Sequence, residues 1–211
     1  GEDITNRATI GYQVGGNEHT PIESSTTGNS TRCSGNGSDT TFLVDNKIDL
    51  TVAEADSDYT SVSPNQQNAV LTFTVTNDGN SVQDYVLSAA DGSDPFGGTD
   101  NFNPTNVEIY VESNATAGYQ SGEDTATYID ELAADTTVTV YVVADIPIGQ
   151  SDGDIAAITL TATTRDGGSS GSQGAETTDD SGSADDPASF QMVFGDAAGD
   201  TDAAEDGQHS D

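Results

Sequence analysis

Basic residues are nearly absent from this 211-residue chain: Arg7, Arg32, Lys47 and Arg165 stand against 37 Asp and Glu, a formal net charge of −33. Nucleic acid is thereby excluded as a partner, because a phosphate binder needs clustered Lys and Arg to release counterions. Trp is missing, which removes the usual sugar-stacking platform of a carboxylate-pair glycosidase. One cysteine, Cys33, cannot form an internal disulfide, and with two histidines, His19 and His209, it cannot furnish a zinc site. Those histidines fall in a tether and a tail, away from any nucleophile–base constellation. No Gly-rich phosphate loop opens a helix, since no helical pattern is present. The chain therefore reads as a non-enzyme. Long apolar runs are also lacking, so neither a membrane span nor a leader's apolar stretch is legible. Together with a start at Gly1, this points to a processed, exported protein, secreted or held at the cell surface.

Apolar residues make up only 32% of the chain, which with such a charge would read as disorder. Their ordering argues otherwise. Ile4, Ala8, Ile10, Tyr12 and Val14 occupy even positions with polar residues or Gly between them, the period of a strand with one buried face. The same alternation recurs at Ile48, Leu50 and Val52, at Ala69, Leu71, Phe73 and Val75, and at Val82 to Leu87. It continues at Val107 to Val111, at Val138, Val140 and Val142, at Ala156 to Ala162, and at Phe190, Met192 and Phe194. Asn77-Asp-Gly-Asn80 predicts a hairpin turn, and a turn is the only feature expected near Tyr128–Leu132. Short strands rich in Val, Ile and Thr, separated by Gly/Asp/Asn turns, predict an all-β fold. The expected form is an immunoglobulin-like antiparallel β-sandwich of Greek-key type with an N-terminal extension strand.

Four regions follow from composition. Residues 1–18 are a candidate donor strand, 19–40 a Gly/Ser/Thr-rich tether, 41–195 the β-sandwich, with a long Gly/Ser/Asp loop after Arg165, and 196–211 an acidic C-terminal tail. So many like charges repel one another at low ionic strength, so the compact state needs salt or bound cations. The clusters Glu54/Asp56/Asp58, Asp91/Asp94/Asp100, Asp152/Asp154 and Asp179/Asp180/Asp185/Asp186 read first as solvated surface. The tail cluster Asp196, Asp200, Asp202, Glu205 and Asp206 is the preferred cation site, because ordering it requires neutralisation. Asn29, Asn36 and Asn114 head glycosylation sequons, a weak signal, and sugar could also sit on the tether's Ser and Thr.

Residues 41–55, 69–89 and 125–162, and above all Thr74-Val-Thr-Asn77-Asp-Gly79-Asn80, resemble exported bacterial surface proteins built from immunoglobulin-like "conserved repeat" modules, whose strands end in T-x-T-N-x-G-N. The resemblance implies a two-sheet sandwich and a role as stalk, adhesin or fibre subunit. Those proteins carry tandem copies, whereas one copy is found in this chain. Glu112 to Asp124 is similar to the calcium loop of dockerin-like proteins, in which alternate residues turn oxygens inward. That resemblance implies Ca2+ ligands at Glu112, Asn114, Thr116 and Glu123, with Asp124 as an alternative. The loop departs from the pattern, with Glu at its first position and Ala117 where the sharp turn wants Gly.

The leading expectation is a structural subunit of an extracellular filament, as in a biofilm matrix. The strand 4–14 would fill the open sheet edge of another copy, with Ile4, Ala8, Ile10, Tyr12 and Val14 entering its core. Such head-to-tail contact does not close on itself, so repetition gives a fibre. Whether the strand pairs within its own chain instead is left open by the sequence. The alternative expectation is a calcium-dependent adhesion or stalk module of a larger surface protein, binding glycan or another cell.

Overall fold

The computed structural model describes residues 3–28, 37–114, 116–180, 182, 186, 189–195 and 206–211. The chain is all-β and divides into two compact units, Gly1–Asp45 with Ala184–Gln191, and Asn46–Ser183 with Met192–Asp211.

In the first unit β1 (Asp3–Asn6) pairs antiparallel with β4 (Thr40–Leu43), and β2 (Thr9–Val14) with β3 (Asn17–Glu23). Strand β3 lies in a stretch expected to begin the tether. Gly15 and Gly16, with φ of 63° and 84°, explain the difference. Two left-handed residues in succession make the tight turn whose twist matches a hairpin, and glycine adopts them without strain. The Ser24 amide donates to the Ala8 carbonyl, and Arg7 reaches Asp39 at 2.7 Å, so the residues after β3 are tied back as well.

The second unit holds two four-stranded antiparallel sheets. One runs in the order β6 (Leu50–Glu54), β7 (Ala69–Asn77), β11 (Thr136–Asp145), β9 (Thr105–Val111). The other is ordered β10 (Tyr128–Leu132), β8 (Gln83–Asp91), β12 (Ile158–Asp166), β14 (Gln208–Ser210). A parallel pair, β5 (Asn46–Ile48) with β13 (Met192–Phe194), completes the unit. One apolar cluster takes Leu50, Val52, Phe73, Val75, Val111, Val140 and Val142 from the first sheet and Tyr85, Ile129, Leu160 and Ala162 from the second. The two sheets thus face each other in a sandwich-like arrangement, and period two supplies the shared face. Burying these side chains removes apolar area worth roughly 1.5–3 kcal/mol for each large aliphatic residue.

Three expectations need correction. The motif at Asn77 to Asn80 is not a hairpin: β7 and β8 belong to opposite sheets, so the motif is the corner at which the chain crosses between them. Residues 128–132 form a strand rather than a turn, kinked by a bulge between Ile129 and Leu132 where Glu131 has φ of 56°. The C-terminal residues are held by sheet pairing: β14 pairs with β12, and Asp211 exchanges backbone hydrogen bonds with Leu160. His209 therefore sits in a strand, fully buried, its Nδ1 accepting the Val52 amide of the facing sheet at 3.0 Å.

The corner explains its own sequence. Asn77 is wholly buried; its Nδ2 donates to the carbonyls of Ser81 and Leu132, and its Oδ1 accepts the Gly79 amide. Asp78 and Asn80 donate their amides to the carbonyls of Asp49 and Lys47, and Asn80 returns its side-chain oxygen to the Lys47 amide. A Cβ at Gly79 would stand 2.4 Å from the Lys47 carbonyl oxygen, so only glycine fits. Substituting Asn77→Ala leaves two carbonyls and an amide without their partner in the interior, a loss of roughly 2–4 kcal/mol. Thermal unfolding followed by circular dichroism should show a midpoint lowered by roughly 4–16 °C.

Candidate functional site: an exposed apolar ribbon and its acidic surroundings

The first unit contributes none of the buried apolar side chains among the described residues. Its alternating residues face outward instead: Ile4 is 52% exposed, Ile10 67%, Val14 59%, and Phe42, directly opposite Ile4, 60%. Ala8 is exposed too, and Tyr12 is half-buried because its ring stacks on His19 across the β2–β3 pair, centroids 5.3 Å apart. Of the five residues expected to enter a partner's core, Ile4 thus lies on β1 and Ile10, Tyr12 and Val14 on β2, with Ala8 in the link between the two strands. The backbone of both strands pairs within the unit, with β4 and β3. Arg7 is tied to Asp39 and Glu23.

In the loop expected to hold calcium, the structure gathers the named residues, but their oxygens accept hydrogen bonds from the loop itself and from Tyr141 of β11. Glu112 accepts the Asn114 amide through one oxygen and the Tyr141 hydroxyl, at 2.7 Å, through the other. Asn114 donates its side-chain amide to Glu123 and accepts the Thr116 amide. Asp124, fully buried, accepts the amides of Ser113 and Gln120 and the Ser113 hydroxyl. The Gln120 amide is the largest influence holding the Asp124 carboxyl below its usual range; burial opposes it, and the Ser113 bonds add to it. The loop is pinned on the outer face of β9 and β11, where Tyr119 packs between Tyr110 and Tyr141 at 5.1 and 5.9 Å. Burial, then the bond to Glu112, pushes the Tyr141 hydroxyl up to about 12.

Of the preferred tail cluster, Asp196, Asp200 and Asp202 lie outside the described residues, as does Glu205. Asp206 accepts the Gln208 amide at the start of β14. A different acidic group emerges: ligand oxygens of Asp84, Asp130 and Glu131 lie within 4.8 Å of one another. Sequence reasoning missed it because Asp84 is far from the other two in the chain and only the β8–β10 pairing joins them. Five amides already serve these carboxylates. Asp84 takes those of Glu131 and Gly174, Glu131 those of Gly168 and Ser169, and Asp130 that of Gly171. The Gly/Ser loop after β12 is thereby fastened to the β10 bulge.

Compared with protein-family models, with curated proteins and with solved structures, the chain matches none.

A folded-state carboxyl held low stabilises the fold above its unfolded value, and that contribution is lost as pH falls through the folded value. In Asp124→Asn one acceptor becomes an NH2 group facing amide donors. Its midpoint should lie below the native one at pH 7, and the gap should narrow progressively below pH of about 4, the unperturbed Asp value. Paired unfolding curves from pH 2 to 8 measure it; a gap independent of pH contradicts the assignment.

Proposed function

We propose that this protein is a structural subunit of a secreted extracellular filament, non-catalytic, joined head-to-tail when the N-terminal strands are donated to the sandwich of a neighbouring copy. The observation that carries the reading is the exposure of Ile4, Ile10, Val14 and Phe42 on a unit with no apolar core among its described residues. Two-stranded ribbons are at best marginally stable in water by themselves. Transfer to a partner's apolar groove removes the exposed half of each side chain from water, roughly 1 kcal/mol or more per residue. The backbone bonds that β1 and β2 make with β4 and β3 would be exchanged for equivalent bonds at the acceptor edge, leaving side-chain burial as the net gain. The immunoglobulin-like Greek-key reading of the acceptor is supported by the crossing of consecutive strands from one sheet to the other, β7 to β8, β8 to β9 and β11 to β12. Bodies of charge −33 repel, so assembly belongs to a saline or divalent-rich medium outside the cell, where cations screen the contact.

A second reading, a calcium-dependent adhesion or stalk module of a larger surface protein, is favoured by the Asp84, Asp130 and Glu131 group. In it a divalent ion would take the carboxylate lone pairs that the loop amides leave over.

Purified protein in concentrated salt should give fibres by negative-stain microscopy, while the chain lacking residues 1–18 and the Ile4→Asp/Ile10→Asp variant should stay monomeric at the same concentration. Polymerisation of both altered chains would rule out strand donation. For the second reading, millimolar CaCl2 should raise the unfolding midpoint of the native chain but not of Asp84→Asn. Equal midpoints with calcium and with chelator would discard it.

A further inference from the structure

At one end of the sandwich the two sheets border a half-open cavity of about 660 Å³. It is bounded by the end of β6, the start of β7, the end of β11, the start of β12, Ser210 at the end of β14 and Asp211, and by the loops that follow β6 and β8 and precede β12. Its walls are apolar, with Leu71, Phe73, Phe102, Val142, Ile146 and Ile158 among them. This volume lies in the range of pockets that take a small organic molecule. Tyr59 and Phe96 meet edge to face at the rim, centroids 5.0 Å apart, and the Tyr59 hydroxyl donates to Asp94 at 2.7 Å, joining two of the loops.

The polar part of the lining has one sign. Glu54, Asp94, Asp154 and Asp211 all border the cavity, and no Lys, Arg or His does. Asp94 and Asp154 are partly served by neighbouring donors: Asp94 by Tyr59 and the Phe96 amide, Asp154 by the Ser151 amide. Glu54 and Asp211 stand together. The Glu54 amide donates to the Asp211 carboxylate at 2.5 Å, which draws two acidic side chains into one half-buried corner. Neither of them has a cationic partner among the described residues. Crowding and burial both make the Glu54 carboxyl harder to ionise: burial first, then Asp211 and Asp56, push it up. An occupant bearing a positive charge at this corner relieves both effects, whereas a carboxylate or phosphate would meet four like charges.

We propose that the cavity binds a small cationic amphiphile, with its hydrocarbon body between the sheets and a protonated amine between Glu54 and Asp211. The apolar walls supply affinity in proportion to the hydrocarbon area covered, and the carboxylate pair selects the head group. Anionic amphiphiles such as fatty acids are rejected by the same pair. This site is independent of the N-terminal ribbon, so it stands or falls separately from filament assembly.

Calorimetric titration of the full chain with decylamine, decanol and decanoate, three probes that differ only in the head, tests the assignment. The solution should contain 1 M NaCl, at which the Debye length is about 3 Å and attraction to the −33 surface is suppressed. Decylammonium should saturate a single site per chain, about tenfold or more tighter than decanol, with no saturable binding of decanoate. Leu71→Trp, which fills the cavity, should abolish binding of both the amine and the alcohol. The surface-side double variant Glu54→Gln/Asp211→Asn should keep decanol binding and lose the preference for the amine, a result that does not depend on the core substitution folding. Decanoate binding as tightly as the amine, amine uptake without a single saturable site, or an amine preference that survives the double variant would each overturn the proposal.

Discussion

The two facing sheets of the larger unit are held by one shared apolar layer, in a chain with few apolar residues to spare. Leu50, Val52, Phe73, Val75, Val140 and Val142 on one side meet Tyr85, Ile129, Leu160 and Ala162 on the other. Because alternate side chains serve this layer, the remaining half of each strand is free to be Thr, Asp or Asn, which is how 37 acidic residues fit a folded chain. The smaller unit shows the converse. Its strands alternate in the same way, but among the described residues none of their apolar side chains is buried, and Ile4, Ile10 and Val14 stay exposed.

With four cations against 37 carboxylates, ion pairing cannot be the way acidic side chains are satisfied. Backbone amides take that place. Asp124 closes the loop from Ser113 to Gln120, Asp84 and Glu131 fasten residues 168–174, and Asp94 holds the Phe96 turn. A charged acceptor strengthens each of these bonds relative to a neutral one, so carboxylates act here as clasps for loops rich in polar residues. The same economy makes a half-buried corner such as Glu54 and Asp211 conspicuous, since among the described residues it has two carboxylates and one amide donor between them. Acidic pattern alone cannot distinguish a clasp, a solvated surface and a ligand site; the distinction lies in which donors face each oxygen.

Much of the fold was legible beforehand because period two survives any tertiary arrangement. Leu50 and Val52, Phe73 and Val75, Val140 and Val142, Leu160 and Ala162 were all assignable to a buried face from spacing alone. The hairpin at Gly15 and Gly16 was readable in principle from its Gly-Gly turn but was masked by the polar composition of Asn17–Glu23, whose strand presents little to bury. The 128–132 strand was hidden by the bulge at Glu131, which breaks alternation. The Asp84, Asp130 and Glu131 group had no signature, as its members meet only through pairing of β8 with β10.

The amino-acid order alone determined that this protein is built of strands, which side of most of them is apolar, and that its surface carries charge of one sign, since each is a local property of spacing and count. Only the folded chain decided which strands share a sheet. Asn77 shows why: a strand followed by Asp-Gly can turn back beside itself or cross to the facing sheet with the same alternation. Here the outcome is fixed by carbonyls and amides of Lys47, Asp49, Ser81 and Leu132, two of them about 30 and one 55 positions away. His209 is the other instance, an end-of-chain residue whose burial rests on an amide of Val52, 157 positions earlier.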